Sequence, residues 1–158
     1  MYLAASYKKD IEIDPFANTF FSFNDTESEL KFMQANANMF IYTINGSSDN
    51  QFEKPTLIVL PVPYDNMTSL KKMAESMIEQ FKGKGLTEVE EVSYSGDSVN
   101  GYNSYQKVVK GTMGGKKVNL FIKIITKGDN QLILQGLQSG ENLDLDKFNA
   151  LINTVKMN

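Results

Sequence analysis

Apolar residues in "KKVNLFIKIITKGDNQLILQGL" (residues 116–137) occupy both sides of a period-two pattern. Val118, Leu120, Ile122 and Ile124 share one face of a strand, and Phe121 and Ile125 lie on the other. If the following strand alternates Ile133 and Leu137 against Leu132 and Leu134, the pair Ile133 and Leu137 joins Phe121 and Ile125. A sheet wet on one side shows polar residues there, and burying one large apolar side chain is worth about 1.5–3 kcal/mol. The pattern therefore predicts a sheet covered on both faces.

Residues 7–62 read as β-rich. Strand-like runs at 7–13, 18–24, 29–34, 39–45 and 56–62 are separated by "DPFAN", "NDTES", "NAN" and "NGSSDN", all turn chemistry. Residues 46–54 are the most polar stretch and read as a mobile loop. "PTLIVLPVPYDN" reads as a buried strand ended by Pro61 and Pro63, which cannot donate to a ladder.

The period then changes. Leu70, Met73, Ala74, Met77, Ile78 and Phe81 form one helical stripe, with Asp65, Asn66 or Thr68 as cap and Gly83 or Gly85 as the left-handed residue at its end. Four strands follow, at 88–95, 102–111, 117–127 and 130–138. Their separators "SGDSVNG", "GTMGG" and "KGDN" are too short for parallel crossovers, so the strands pair as antiparallel hairpins. Leu145, Phe148, Leu151, Ile152 and Val155 mark a terminal helix capped by Asn142 or Asp144. Two single-striped helices and a sheet apolar on both faces predict an α+β fold. It is an α/β/α sandwich with a central antiparallel sheet, one amphipathic helix on each face and extra N-terminal β-hairpins. In the alternative, the N-terminal strands cover the second face.

At 158 residues the chain fits one domain, with residues 1–55 as its β-rich N-terminal part and 56–158 running strand, helix, four strands, helix. It contains no cysteine, histidine or tryptophan. Thiolate chemistry, zinc-thiolate sites and the commonest general base are thereby excluded. A formal charge of -3 with no basic stripe argues against a nucleic-acid partner. No run is long enough for membrane insertion. If Met1 is the native start, the compartment is the cytoplasm; if a leader has been removed, it is the cell envelope or the exterior.

An initial β-hairpin region leads to a strand entering "VPYDNMTSLKKMAESMIEQFKGKG". "VNGYNSYQKVVKG", two further strands and a terminal helix ending "FNALINTVKMN" complete the order. This succession resembles the PsbP-like, DcrB-like family, to which the photosystem II extrinsic subunit P and the yeast Ran-binding Mog protein belong. The likeness covers residues 56–158, with the "NGY-x-x-Y" segment at Asn100 to Tyr105 opening a strand. The N-terminal tryptophan of many members is absent, and strand-like material at 28–45 is additional. The resemblance implies the sandwich fold and a non-enzymatic binding or assembly role.

The remaining motifs carry little chemistry. "GTMGGKK" (111–117) lacks phosphate-loop spacing and lies between strands, so it reads as a hairpin turn. Glu141, Asp144 and Asp146 read as helix-start acids rather than cation ligands, and Glu88, Glu90 and Glu91 as a solvated strand face. "NDT", "NGS" and "NMT" match the glycosylation triplet in a chain rich in asparagine and serine. Of Met33, Met39, Met67, Met73 and Met77, the last two fall on the helical stripe and read as core filling. Tyrosine serves both packing and recognition, which makes Tyr64, Tyr102 and Tyr105 the candidate binding residues, alongside Tyr94 and loop 46–54. The resulting expectation is a non-enzymatic protein-binding or assembly module with an unidentified protein partner, no cofactor and no metal. The alternative is a carrier of a small apolar ligand held between helix and sheet.

Overall fold

A computed structural model describes residues 16–49 and 53–158, so the strand expected at 7–13 and the centre of loop 46–54 lie outside the described residues. Nine strands and two helices follow in order among the described residues: β1 (Phe21–Ser22), β2 (Leu30–Asn36), β3 (Met39–Ile44), β4 (Thr56–Pro63), α1 (Leu70–Gly83), β5 (Thr87–Val99), β6 (Tyr102–Met113), β7 (Lys116–Lys127), β8 (Asn130–Ser139), α2 (Leu145–Ile152) and β9 (Lys156–Met157). Seven strands form one antiparallel sheet in the order β2-β3-β4-β8-β7-β6-β5, and β1 pairs with β9 apart from it. The fold is α+β. The extra material at 28–45 is the hairpin β2–β3, which extends the sheet beyond β4.

Both faces of β7 are buried. Leu120, Ile122 and Ile124 share a cluster with Leu70, Ala74, Met77 and Ile78 of α1. Phe121 and Ile125 belong to the other cluster, with Phe148, Leu151 and Ile152 of α2. There Phe121 stacks on Phe148 at 5.6 Å, and Phe16, Phe21 and Phe40 meet at 4.9–5.8 Å. The expected placement of Ile133 and Leu137 is reversed. Ile133 pairs with Ile124 and Leu137 with Leu120, so both join the α1 cluster, while Leu132 and Leu134 lie opposite Ile125 and Lys123. The register of the β7–β8 turn decides this, because a one-residue slip moves every side chain to the other face.

α1 forms where its stripe predicts. Its cap is Ser69, whose Oγ accepts the Lys72 N–H at 3.2 Å, while Asp65 instead caps the preceding turn by accepting from Met67 at 2.8 Å. The helix ends with Gly85 in the left-handed region, Gly85 N–H donating to the Lys82 carbonyl and Leu86 N–H to that of Phe81. Asp144 occupies the start of α2 but makes no capping bond; its carboxylate faces Lys147 at 3.2 Å. β4 continues through Pro61 and Pro63, paired with Leu132 and Asn130 on β8. β3 reaches only to Val59, so the far side of β4 at the prolines needs no donor.

Candidate functional site

The three candidate tyrosines do not form one patch. Tyr105 is 7% exposed in the α1 cluster, and burial, with Glu75, Glu91 and Tyr94 as lesser contributors, raises its phenol pKa. Tyr102 lies at the margin of the α2 cluster. Its hydroxyl accepts the Met157 N–H at 2.9 Å, and Lys127 Nζ sits 5.8 Å from its ring centroid. Tyr64 is half-buried beside the α1 cluster, its N–H donating to the Asp129 carbonyl at 2.8 Å. Tyr102 thus anchors the C-terminal strand, and Tyr105 packs the sheet.

The methionines divide as well. Met73 and Met77 pack within the α1 cluster, whereas Met39 and Met67 are exposed. Glu141 pairs with Lys117 at 2.8 Å, a hydrogen bond that lowers the pKa of the acid and raises that of the base, and both side chains are solvent-exposed. Glu88, Glu90 and Glu91 are exposed; Glu91 meets Lys107 at 3.2 Å and Glu88 accepts from Thr112. Among the described residues no group of three or more carboxylates is placed to hold a metal ion.

β5, the longest strand among the described residues, is exposed over most of its length. It is a terminal strand of the sheet, and among the described residues no strand pairs with its outer side. Apart from Val89 and Val99 its side chains are exposed, with Tyr94 at 60% and Val92 at 50%. "SGDSV", expected as part of a loop, continues the strand to a two-residue turn at Asn100 and Gly101, both with positive φ. That turn makes Val99 and Tyr102 a hydrogen-bonded pair, so strand alternation directs the N–H and C=O of Ser98, Gly96 and Tyr94 to the open side, where the Ser98 N–H donates to Asp97 Oδ1 at 2.7 Å. The ladder shifts register between Thr87 and Glu90 and again between Glu91 and Ser93. From Ser93 to Val99 it is regular. An edge strand lacks a buried face to impose alternation, which is why its hydropathy pattern reads as loop; the "NG" turn right after Val99 is the signal that marks it as a hairpin arm.

Three buried polar side chains, Lys123, Asn119 and Ser104, interrupt the α2 face of the sheet. Lys123 is 5% exposed, donates to Gln106 Oε1 at 3.2 Å, and has its pKa lowered by burial, an effect that Asp97 opposes. Asn119 is fully buried, its Nδ2 donating to the carbonyls of Gln138 and Gly140 while its Oδ1 has no partner among the described residues. Asn119 lines a cavity of about 190 Å³ with Val92, Ser93, Val108, Leu143 and Leu145, between the start of α2 and the edge of the sheet.

No family profile and no curated protein matches the sequence. Solved structures do. PsbP from the cyanobacterium Synechocystis superposes with a TM-score of 0.54 at 11% identity, over 95% of this chain and 99% of that one. LpqN of Mycobacterium tuberculosis, described as involved in cell envelope biogenesis, gives 0.56 at 12% identity over 97% and 95%. The chain has the PsbP-like fold. The Ran-binding protein Mog1p of Saccharomyces cerevisiae also shares it, with a TM-score of 0.51 at 13% identity over 87% of this chain and 74% of that protein. These matches reach beyond the segment 56–158 that carried the likeness in sequence. Among the described residues no helix is long and apolar enough to cross a membrane.

Proposed function

We propose that this chain is a non-enzymatic protein-binding module that holds its partner along the open side of β5. The observation that carries the reading is a long exposed edge strand whose regular half, Ser93–Val99, offers backbone donors and acceptors to a second chain. Adding a strand to such an edge supplies main-chain hydrogen bonds for affinity and side-chain contacts for specificity. Mog1p, which shares the fold, is itself described as a Ran-binding protein. The division of the core into an α1 cluster and an α2 cluster supports one helix on each sheet face, which leaves the edges rather than the faces for recognition.

Gly96→Pro tests this. It removes one outward N–H, and a Cβ there meets nothing within 4 Å. Random peptides displayed on phage and panned on the wild type should be enriched, and the enriched peptides should lose binding to Gly96→Pro. Equal capture by both proteins, or no enrichment, would sink the reading.

A second reading is favoured by Asn119, which lines a cavity of mixed polar and apolar wall and whose buried Oδ1 has no partner among the described residues. A buried acceptor in that position fits a small apolar ligand carrying one N–H or O–H donor. Non-denaturing mass spectrometry of the purified protein distinguishes the two: a retained small molecule supports the carrier, and the bare mass supports the module.

A further inference from the structure

Resting on the reading of β5 as a docking edge, we infer that its occupant is an extended segment alternating basic and apolar residues, laid beside Ser93–Val99 as an eighth strand of the main sheet. Sheet edges are ordinarily guarded by lysines, prolines or bulges. Both irregularities of β5 fall before Ser93, and Ser93–Val99 contains neither lysine nor proline. Tyr94 and Gly96 present open N–H and C=O groups and Ser98 an open carbonyl, the Ser98 N–H donating to Asp97 Oδ1 at 2.7 Å. This stretch is therefore the unguarded part of the edge.

Charge selects the class of partner. β5 carries Glu88, Glu90, Glu91 and Asp97 and no basic residue. Glu91 is engaged by Lys107, whereas Glu90 forms no ion pair among the described residues and Asp97 feels only the buried Lys123 amine, without direct contact. A lysine- or arginine-bearing strand would meet this excess of negative charge, which favours both encounter and register. A second copy of the chain is disfavoured by the same charges, since edge-to-edge pairing would set acidic β5 against acidic β5. Alternation puts the basic positions of the incoming strand on the α2 side, where Glu90 and Asp97 lie, and its apolar positions on the α1 side, against exposed Tyr94.

The test is a titration of the isotope-labelled protein with synthetic heptapeptides followed by amide shifts: one alternating lysine and leucine, one glutamate and leucine, one threonine and leucine. The lysine peptide is expected to shift the amides of Tyr94, Gly96 and Ser98 and to bind roughly tenfold more tightly than the glutamate peptide. Its affinity should fall several-fold as salt is raised from about 0.05 to about 0.5 M. Gly96→Pro should weaken it, as should the double variant Glu90→Gln, Asp97→Asn, whose fold is checked by circular dichroism. If the glutamate or threonine peptide binds the same amides equally well, the basic class is overturned and edge docking stands. If none of the peptides perturbs β5, edge docking falls with it. A dimer in sedimentation with β5 amides protected would identify a second copy as occupant and overturn the inference.

Discussion

At the residue scale, Lys123 and Gly136 illustrate two different ways of being constrained. Lys123 is a buried amine that donates to Gln106, and burial lowers its pKa from 10.5. A lowered folded-state value means the unfolded chain binds more protons, so the destabilising cost is complete below the folded pKa and is relieved as pH rises toward 10.5. Lys123→Met is expected to be neutral or to stabilise by about 1 kcal/mol at pH 7, because a well-packed apolar group replaces a buried charge. Its advantage over the wild type should shrink at pH 10, read from urea midpoints at the two pH values; an advantage that grows with pH would contradict the account. Gly136 sits where a Cβ would lie 2.9 Å from Phe148 and 3.0 Å from Phe121, the stacked pair joining α2 to the sheet. Gly136→Ala should cost about 1–3 kcal/mol, since neither ring can shift without the other. Gly96→Ala, with open space around its Cβ, is the matched control in the same denaturation series.

At the scale of elements, the Asn100–Gly101 turn links three segments. Its positive φ angles close the β5–β6 hairpin, and Asn100 Nδ2 donates to the carbonyls of Asn153 and Val155 at 2.8 and 2.9 Å, holding the chain as it leaves α2. Tyr102 continues the clamp by accepting from Met157 N–H. Tyr102→Phe should cost about 1 kcal/mol and speed amide exchange at Met157 while leaving α2 protected. Unchanged exchange at Met157 would show that the β1–β9 pairing holds the strand by itself. These elements also show what is legible in sequence. The stripe from Leu70 to Phe81 and the short hairpin separators read correctly, because each reflects a local period or a chain-length limit. The cap at Ser69, the face of Ile133 and the strand character of "SGDSV" depend on contacts made far along the chain or on an edge with no buried side to leave a pattern. The candidate site followed the same rule: Tyr102 and Tyr105 stand out by residue type, but only the sheet order shows that the Tyr102 hydroxyl bonds the C-terminal strand, that Tyr105 is buried and that Tyr94 is the exposed member.

At the scale of the whole molecule, the two hydrophobic clusters share one wall. Leu120, Ile122 and Ile124 face α1 while Phe121 and Ile125, on the same strand, face the α2 cluster, so neither core can be lost without unsupported strands being left to the other. An interior packed this way transmits strain rather than absorbing it. Leu134→Ala opens space in the α2 cluster alone, at a residue with no exposed surface, and should cost about 2–5 kcal/mol. If the sheet couples its faces, hydrogen exchange measured peptide by peptide should show α1 and α2 losing protection by the same free energy in this variant, although α1 touches none of the deleted atoms. Protection lost in α2 and retained in α1 would mean that each helix and its half of the sheet open independently. The open side of β5 would then belong to both units, since Val99 packs in the α2 cluster and Val89 beside the α1 cluster.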